Sequence, residues 1–185
     1  MNSAITEPRH DPGGRTRLEL PAGVCGDAQI TPCGRYRASL RRDWTESNEL
    51  PRTIFFVGLN PSVADGTASD PTCHRELTFA RDWGYSRYLK GNILDWRATS
   101  PRDLPEDADL ARSPQNVEAL AEMAQEAEVI VMATGNVPVR FSWIEADTVA
   151  LLRAAARPIM CFGRNKTGFA KHPLYLRKDS LLRPF

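Results

Sequence analysis

Residues 53–57 read Thr-Ile-Phe-Phe-Val, and residues 58–62 read Gly-Leu-Asn-Pro-Ser. The first five form an unbroken run of apolar, β-branched and aromatic side chains. A run without alternation fits a strand covered on both faces, as in a parallel sheet. Gly58 and Pro61 end it. Downstream, the spacing predicts a helix over 71–83, with Asp70 as N-cap, Pro71 at its first position and Gly84 beyond its end. Its inner stripe is Leu77, Phe79, Ala80 and Trp83. A second strand spans 88–94, and a loop rich in Pro, Asp and Arg runs from 96 to 113. A helix over 114–127 carries Val117, Leu120, Ala121 and Ala124 on one face. Residues 128–133, Glu-Val-Ile-Val-Met-Ala, form a third strand. A helix over 140–155 and a fourth strand over 158–162 follow, and 164–185 is a loop with short extended pieces.

Upstream, 17–45 holds two or three short strands around the turn Thr31-Pro32-Cys33-Gly34. Residues 35–42 alternate Tyr36, Ala38 and Leu40 against arginines, as in a hairpin or edge strand. Residues 1–16 are polar, carry Pro12, Gly13 and Gly14, and are expected to be a disordered tail. The remainder, 17–185, is expected to be one domain. Strands alternating with helices predict an α/β fold of three layers, α/β/α, with a four-stranded parallel central sheet and the N-terminal strands at its edge. In such sheets ligands bind beyond the carboxyl ends of the strands. The loops 58–66, 92–97, 134–140 and 163–173 fall there.

The bulk numbers restrict the possibilities. A length of 185 residues suits one domain with a substantial core. The 42% hydrophobic and 25% charged composition is that of a globular protein. No apolar run is long enough for a membrane helix, and the first residues show no secretory signal. The expected location is the cytoplasm, and the expected state a monomer. Cys25, Cys33, Cys73 and Cys161 form no C-x-x-C pair and lack zinc-ligand spacing, so no metal site is expected, and the chemistry considered below requires no organic cofactor. Net charge is only +1, but its distribution is uneven. Residues 164–178 hold Arg164, Lys166, Lys171, Arg177 and Lys178 without an acid. A second basic cluster is Arg35, Arg37, Arg41 and Arg42, whereas 103–128 is acidic. Solvated faces account for such clusters as readily as a phosphate-binding surface does.

Three features carry possible chemistry. Gly58 permits close approach of a ligand, Asn60 offers both a donor and an acceptor, and Asp65 and Asp70 lie close enough in sequence to supply a base. Asn92, in an apolar strand, costs free energy unless its amide is paired, and amides read nucleobase edges in two-bond fashion. His172, before Pro173, is the best-placed of three histidines to act as an acid or electrophile. A strand-to-helix turn, an asparagine bonded to backbone and an exposed imidazole are the plainer readings. No dinucleotide fingerprint, phosphate loop or nucleophile elbow is present.

Several segments together resemble a bacterial and phage family of unknown function. They are YRASLRRDW (36–44), GLNPSVADGTASDPTCHRELTFARDWGY (58–85), NILDWRATSPRDL (92–104) and KHPLYL (171–176). More distantly, the order of elements is similar to the uracil-DNA glycosylase superfamily. That resemblance implies that Gly58-Leu59-Asn60-Pro61 is the loop placing an attacking water. It further implies that Asn92 reads the base and that His172-Pro173 is the loop approaching base and DNA backbone. Phe79 would be the aromatic residue stacking on the base. The last loop departs from the superfamily's His-Pro-Ser by continuing Leu174-Tyr175.

The resulting expectation is a DNA glycosylase-like hydrolase acting on a damaged or modified base in DNA, flipped from the duplex. It would serve base-excision repair or defence against phage DNA. Asn60 holds the water, Asp65 acts as base and His172 stabilises charge on the departing base. Gly58, Leu59, Asn92 and Phe79 bind the base. Ser62, Arg164, Lys166 and Lys171 meet phosphates. Two other readings stand beside it: a module that binds a nucleotide or modified nucleic acid without chemistry, and an enzyme acting on free nucleosides or nucleotides.

Overall fold

A computed structural model of the protein describes residues 9–185. Its strands are β1 (Leu18–Glu19), β2 (Cys25–Ile30), β3 (Arg37–Asp43), β4 (Thr53–Gly58), β5 (Ala68–Ser69), β6 (Arg87–Asn92), β7 (Val129–Met132), β8 (Ile159–Cys161) and β9 (Arg183–Pro184). The α-helices are α1 (Pro71–Asp82), α2 (Ala108–Ala111), α3 (Pro114–Glu126) and α4 (Ser142–Arg153). Seven strands form one mixed sheet in the order β2-β3-β6-β4-β7-β8-β9, and β1 pairs with β5 in a small antiparallel sheet. The central four, β6-β4-β7-β8, are mutually parallel. Strands β2 and β3 add antiparallel beside β6, and β9 adds antiparallel beside β8. Of the N-terminal strands, β2 and β3 therefore extend the main sheet at its edge, whereas β1 does not join it.

Every residue of β4 is buried, as its unbroken apolar run requires. Side chains alternate across it. Phe55 and Val57 join Leu89, Ile130 and Met132 against Leu120 and Met123 of α3 and Ile144 and Leu152 of α4. Ile54 and Phe56 join Tyr88 and Val131 against Leu77, Phe79 and Ala80 of α1. Each buried side chain of this size contributes about 1.5–3 kcal/mol, so β4 anchors both halves of the core.

Helix α1 begins as its sequence dictates. The Asp70 carboxylate accepts from the Cys73 N–H at 2.8 Å, Pro71 occupies the first turn, and Gly84 takes φ 75° past the end. Helix α3 is rotated relative to the expected stripe. Val117 is 37% exposed, and the buried positions are Asn116, Ala119, Leu120, Met123 and Ala124. The cause is Asn116, whose amide N–H groups reach the Asn92 and Ile93 carbonyls and draw that side of the helix inward. The segment 96–113 is less irregular than expected, for it contains a 3-10 turn at Pro101–Asp103 and the short α2.

Of the expected tail over 1–16, residues 1–8 lie outside the described residues. From residue 9 the chain is docked on the domain. The His10 N–H donates to the Cys33 carbonyl, the His10 ring bonds the Arg97 carbonyl, and Pro12 is buried and accepts from the Thr99 N–H. No helix among the described residues is long and apolar enough to cross a membrane.

The chain leaves β4 through α1 to reach β6 on one side. It then crosses through α3 to β7 on the other. Loops after β4 and β7 thus diverge, and a crevice opens at the carboxyl ends of these strands.

Candidate functional site

A cleft of about 670 Å³ occupies that crevice. Its walls are the loop after β4 (Gly58–Ser62), the start of α1 (Asp70–Cys73), the loop after β7 (Thr134–Asn136) and the segment Lys171–Leu176. Arg37, Lys90 and Asn92 also line it. Parallel pairing of β4 with β6 sets Gly58 beside Asn92. A Cβ added to Gly58 would stand 2.8 Å from Asn92 Oδ1 and 2.7 Å from Lys90 Nζ. Glycine is required here because any side chain would press on both groups.

Asn92 is 1% exposed, yet neither Oδ1 nor Nδ2 has a hydrogen-bond partner among the described residues. Buried polar groups in native proteins are nearly always paired, and leaving one unpaired costs about 1–3 kcal/mol. An amide held at the floor of a cleft in this condition is ready for a ligand that offers one donor and one acceptor.

Asn60 is oriented by its own loop. Nδ2 donates to the Ala98 carbonyl at 2.6 Å and to the Pro61 carbonyl at 3.1 Å. Both amide hydrogens are thereby used, and Oδ1 remains an acceptor. Ser62 Oγ shares a hydrogen bond of 2.7 Å with Thr99 Oγ1, which fixes the same loop from its far end.

His172 caps a 3-10 turn at Pro173–Tyr175, with Nδ1 accepting from the Leu174 N–H at 3.4 Å. That assigns the remaining proton to Nε2, so the ring is a donor on its free side. Burial first and Lys90 second hold its pKa down to about 4, with Asp70 opposing both. At neutral pH it is therefore uncharged. Gly135, at φ 72°, allows this packing, because a Cβ there would lie 3.2 Å from that of His172.

Behind the cleft floor lies a buried ion pair. Lys90 Nζ donates to Glu76 Oε1 at 2.7 Å, and the Tyr88 hydroxyl donates to Glu76 Oε2 at 2.6 Å. Burial pushes the Glu76 carboxyl up, while Lys90 and Tyr88 pull it down. Cys73 is pushed up to about 12, first by burial and then by Asp70, so its thiol is no nucleophile.

The fold brings together Gly58, Leu59, Asn60, Ser62, Asn92, Lys171 and His172 around this cleft. Four sequence-predicted residues lie elsewhere. Asp65 does not line it; its carboxylate accepts from the Thr67 N–H, the Thr67 hydroxyl and the Ala68 N–H and pairs with Arg17. Burial alone would raise its pKa, but these partners hold it at about 2. Such a carboxylate is a turn cap and a poor base. Phe79 is fully buried, tilted against Phe162 at 4.9 Å and stacked on Trp83 at 5.2 Å. Facing α1's own core, it cannot stack on a ligand. Arg164 donates to the Gly168 carbonyl and covers the Phe185 ring, and Lys166 is exposed outside the cleft.

Asp70, the other carboxylate near the loop in sequence, does line the cleft, whereas sequence reasoning missed Arg37, Lys90 and Glu76. A signal for the last two existed. Lys90 interrupts an apolar strand, and Glu76 interrupts the inner stripe of α1, with opposite sign. Two opposite charges at buried positions point to a buried pair.

Residues 35–174 match a family described as Protein of unknown function (DUF1643). No curated protein and no solved structure matches the chain.

Proposed function

Because the chain belongs to the DUF1643 family, whose description assigns no activity, we propose its function from the cleft: recognition of a damaged or modified nucleobase and hydrolysis of its N-glycosidic bond, with DNA as the carrier. The observation that carries this reading is Asn92, buried, unpartnered and at the cleft floor. A side-chain amide pairs with a base edge by one donor and one acceptor. The helices on opposite faces of the central sheet support the finer comparison, a three-layer α/β/α arrangement like that of the uracil-DNA glycosylases.

In this reading the base enters beside Gly58 and meets Asn92. Asn60 Oδ1 accepts from the attacking water and orients it toward C1′. His172 Nε2–H donates to the departing base as a neutral dipole. The developing cation on the sugar draws the water in, so no strong base is required; Asp65 has no part. Ser62 and Lys171, at the rim, are positioned for phosphate oxygens.

One observation favours a free nucleoside or nucleotide instead of duplex DNA. The basic cluster at 35–42 is largely engaged within the protein. Arg37 and Arg42 are 1% exposed, and Arg41 pairs with Glu126. Arg37, Arg41 and Arg42 therefore offer little cationic surface to a backbone.

A base-release assay separates these readings. It presents DNA carrying uracil or oxidised, alkylated and hypermodified bases, alongside the matching nucleosides and nucleotides. Asn92→Ala, Asn60→Ala and His172→Ala should each lower release by about 10²-fold or more, whereas Asp65→Asn should leave the rate near wild type. Release from DNA alone supports the glycosylase, and release from free nucleotides alone moves the substrate to the small molecule. No release from any substrate overturns the hydrolase.

A further inference from the structure

Breaking the C1′–N bond heterolytically leaves its electron pair, and so a negative charge, on the base. His172 is uncharged at neutral pH and meets that charge only with a dipole. A full positive charge stands at the cleft floor in Lys90. It is 3% exposed, lines the cleft and lies two residues before Asn92 on the same face of β6. The Cβ direction of Gly58 points at both groups, 2.7 Å from Lys90 Nζ and 2.8 Å from Asn92 Oδ1. Ammonium and amide therefore stand side by side where a base would sit.

Packing does not explain this lysine. Its cross-strand neighbours Leu40 and Phe56 are buried and apolar, so an apolar side chain at 90 would satisfy the sheet. A buried ion pair is weak evidence for stability, since apolar replacements are often neutral or better. Glu76, 0% exposed, uses one oxygen for Lys90 and the other for the Tyr88 hydroxyl. It does not line the cleft, whereas Lys90 does. The pair thus holds one ammonium in one place, facing a ligand. An ammonium carries three N–H donors, and Glu76 takes one of them.

We propose that Lys90 is the electrostatic catalyst of this site, holding the negative charge that the departing base acquires, with Glu76 and Tyr88 as positioning residues. The proposal rests on the nucleobase reading of the cleft. In the step, the C1′–N bond breaks and its electron pair stays on the base beside the Lys90 ammonium. Water held by Asn60 forms the C1′–O bond and releases a proton to solvent. The base anion leaves and takes a proton from solvent. Lys90 keeps its proton throughout, and water is the only co-reactant. Arg37 and the Asp70 carboxylate also line this part of the cleft.

The test compares wild type, Lys90→Met and the charge-neutral double variant Lys90→Met/Glu76→Gln. The double variant leaves no unpaired buried charge and keeps an acceptor for Tyr88. Calorimetry at mildly alkaline pH measures binding of two pairs of free bases, uracil with its more acidic 5-nitro analogue and hypoxanthine with the more acidic xanthine. Single-turnover base release is measured on the substrate found above. Wild type should prefer the more acidic member, and the double variant should melt cooperatively yet lose that preference. Its single-turnover rate constant at saturating enzyme should fall by about 10²–10³-fold, with the half-saturating enzyme concentration little changed. A folded double variant that keeps both the preference and the rate overturns the proposal while leaving the nucleobase reading intact. Absence of any base binding or release by wild type, with Asn92→Ala indistinguishable from it, overturns both.

Discussion

His172 shows how a single residue ties stability to chemistry. Its imidazole is half-buried, bonded through Nδ1, and held at a pKa of about 4 against an ordinary 6.5, by burial first and Lys90 second. A group whose folded pKa is depressed stabilises the fold above its unfolded pKa. That contribution is lost as pH falls from about 6.5 to about 4, where the unfolded chain binds a proton that the folded one refuses. The full loss is about 3 kcal/mol at most. Thermal melts should therefore show wild type losing stability over this window more steeply than His172→Asn, and parallel curves would refute the burial of a neutral ring. Asp65 teaches the complementary lesson. In sequence it lies five residues from Asn60 and looks like a base, but a carboxylate followed at two and three residues by free N–H groups folds its own turn. Asn92 was legible as a buried amide in an apolar strand. That its amide would be left unpartnered was not, because pairing depends on groups brought from other elements.

At the scale of elements, the decisive relation is the parallel register that sets Gly58 beside Asn92 and Phe56 beside Lys90. It converts two distant loop and strand residues into one floor. Gly58→Ala should close that floor, since its Cβ would meet Lys90 Nζ and Asn92 Oδ1 under 3 Å. The expected outcome is loss of ligand binding by about tenfold or more, with a lowered melting temperature, because the Cβ also presses Lys90 away from its buried bond to Glu76. Titration of any ligand that binds wild type checks this, and unaltered affinity would move the ligand away from Gly58. Helix α1 was legible to within a residue, because Asp70, Pro71 and Gly84 act through local backbone geometry. Helix α3 was placed correctly but turned wrongly. Its inner face is chosen by Asn116 reaching the carbonyls after β6, a contact 23 and 24 residues away that periodicity does not encode.

The whole molecule is a parallel core protected at both margins by antiparallel strands. On one side β3 and β2 cover β6; on the other, β9 covers β8. The last strand is short, pairing Met160 with Pro184 and Cys161 with Arg183, but Phe185 adds an N–H bond to the Ile159 carbonyl and lies under the Arg164 guanidinium at 4.2 Å. Removing residues 182–185 should lower stability by about 2 kcal/mol through lost apolar burial and expose the β8 edge to self-association. Denaturant melts with light scattering check this, and an unchanged midpoint would mean that β9 is ornamental. By itself the sequence determined the four parallel strands, the helices between them and the end of the sheet where a cleft must open. These follow from local quantities: apolar runs, helix caps and the handed connections of α/β chains. Only the tertiary structure decided which polar residues share that cleft. It set aside Asp65, Phe79, Arg164 and Lys166, kept Asp70 and brought in Lys90 and Arg37, with Glu76 behind the floor as the partner of Lys90. The physical reason is that hydrogen bonding and ion pairing are satisfied between segments far apart in the chain. A polar side chain is free for chemistry only when the folded neighbourhood has left it so.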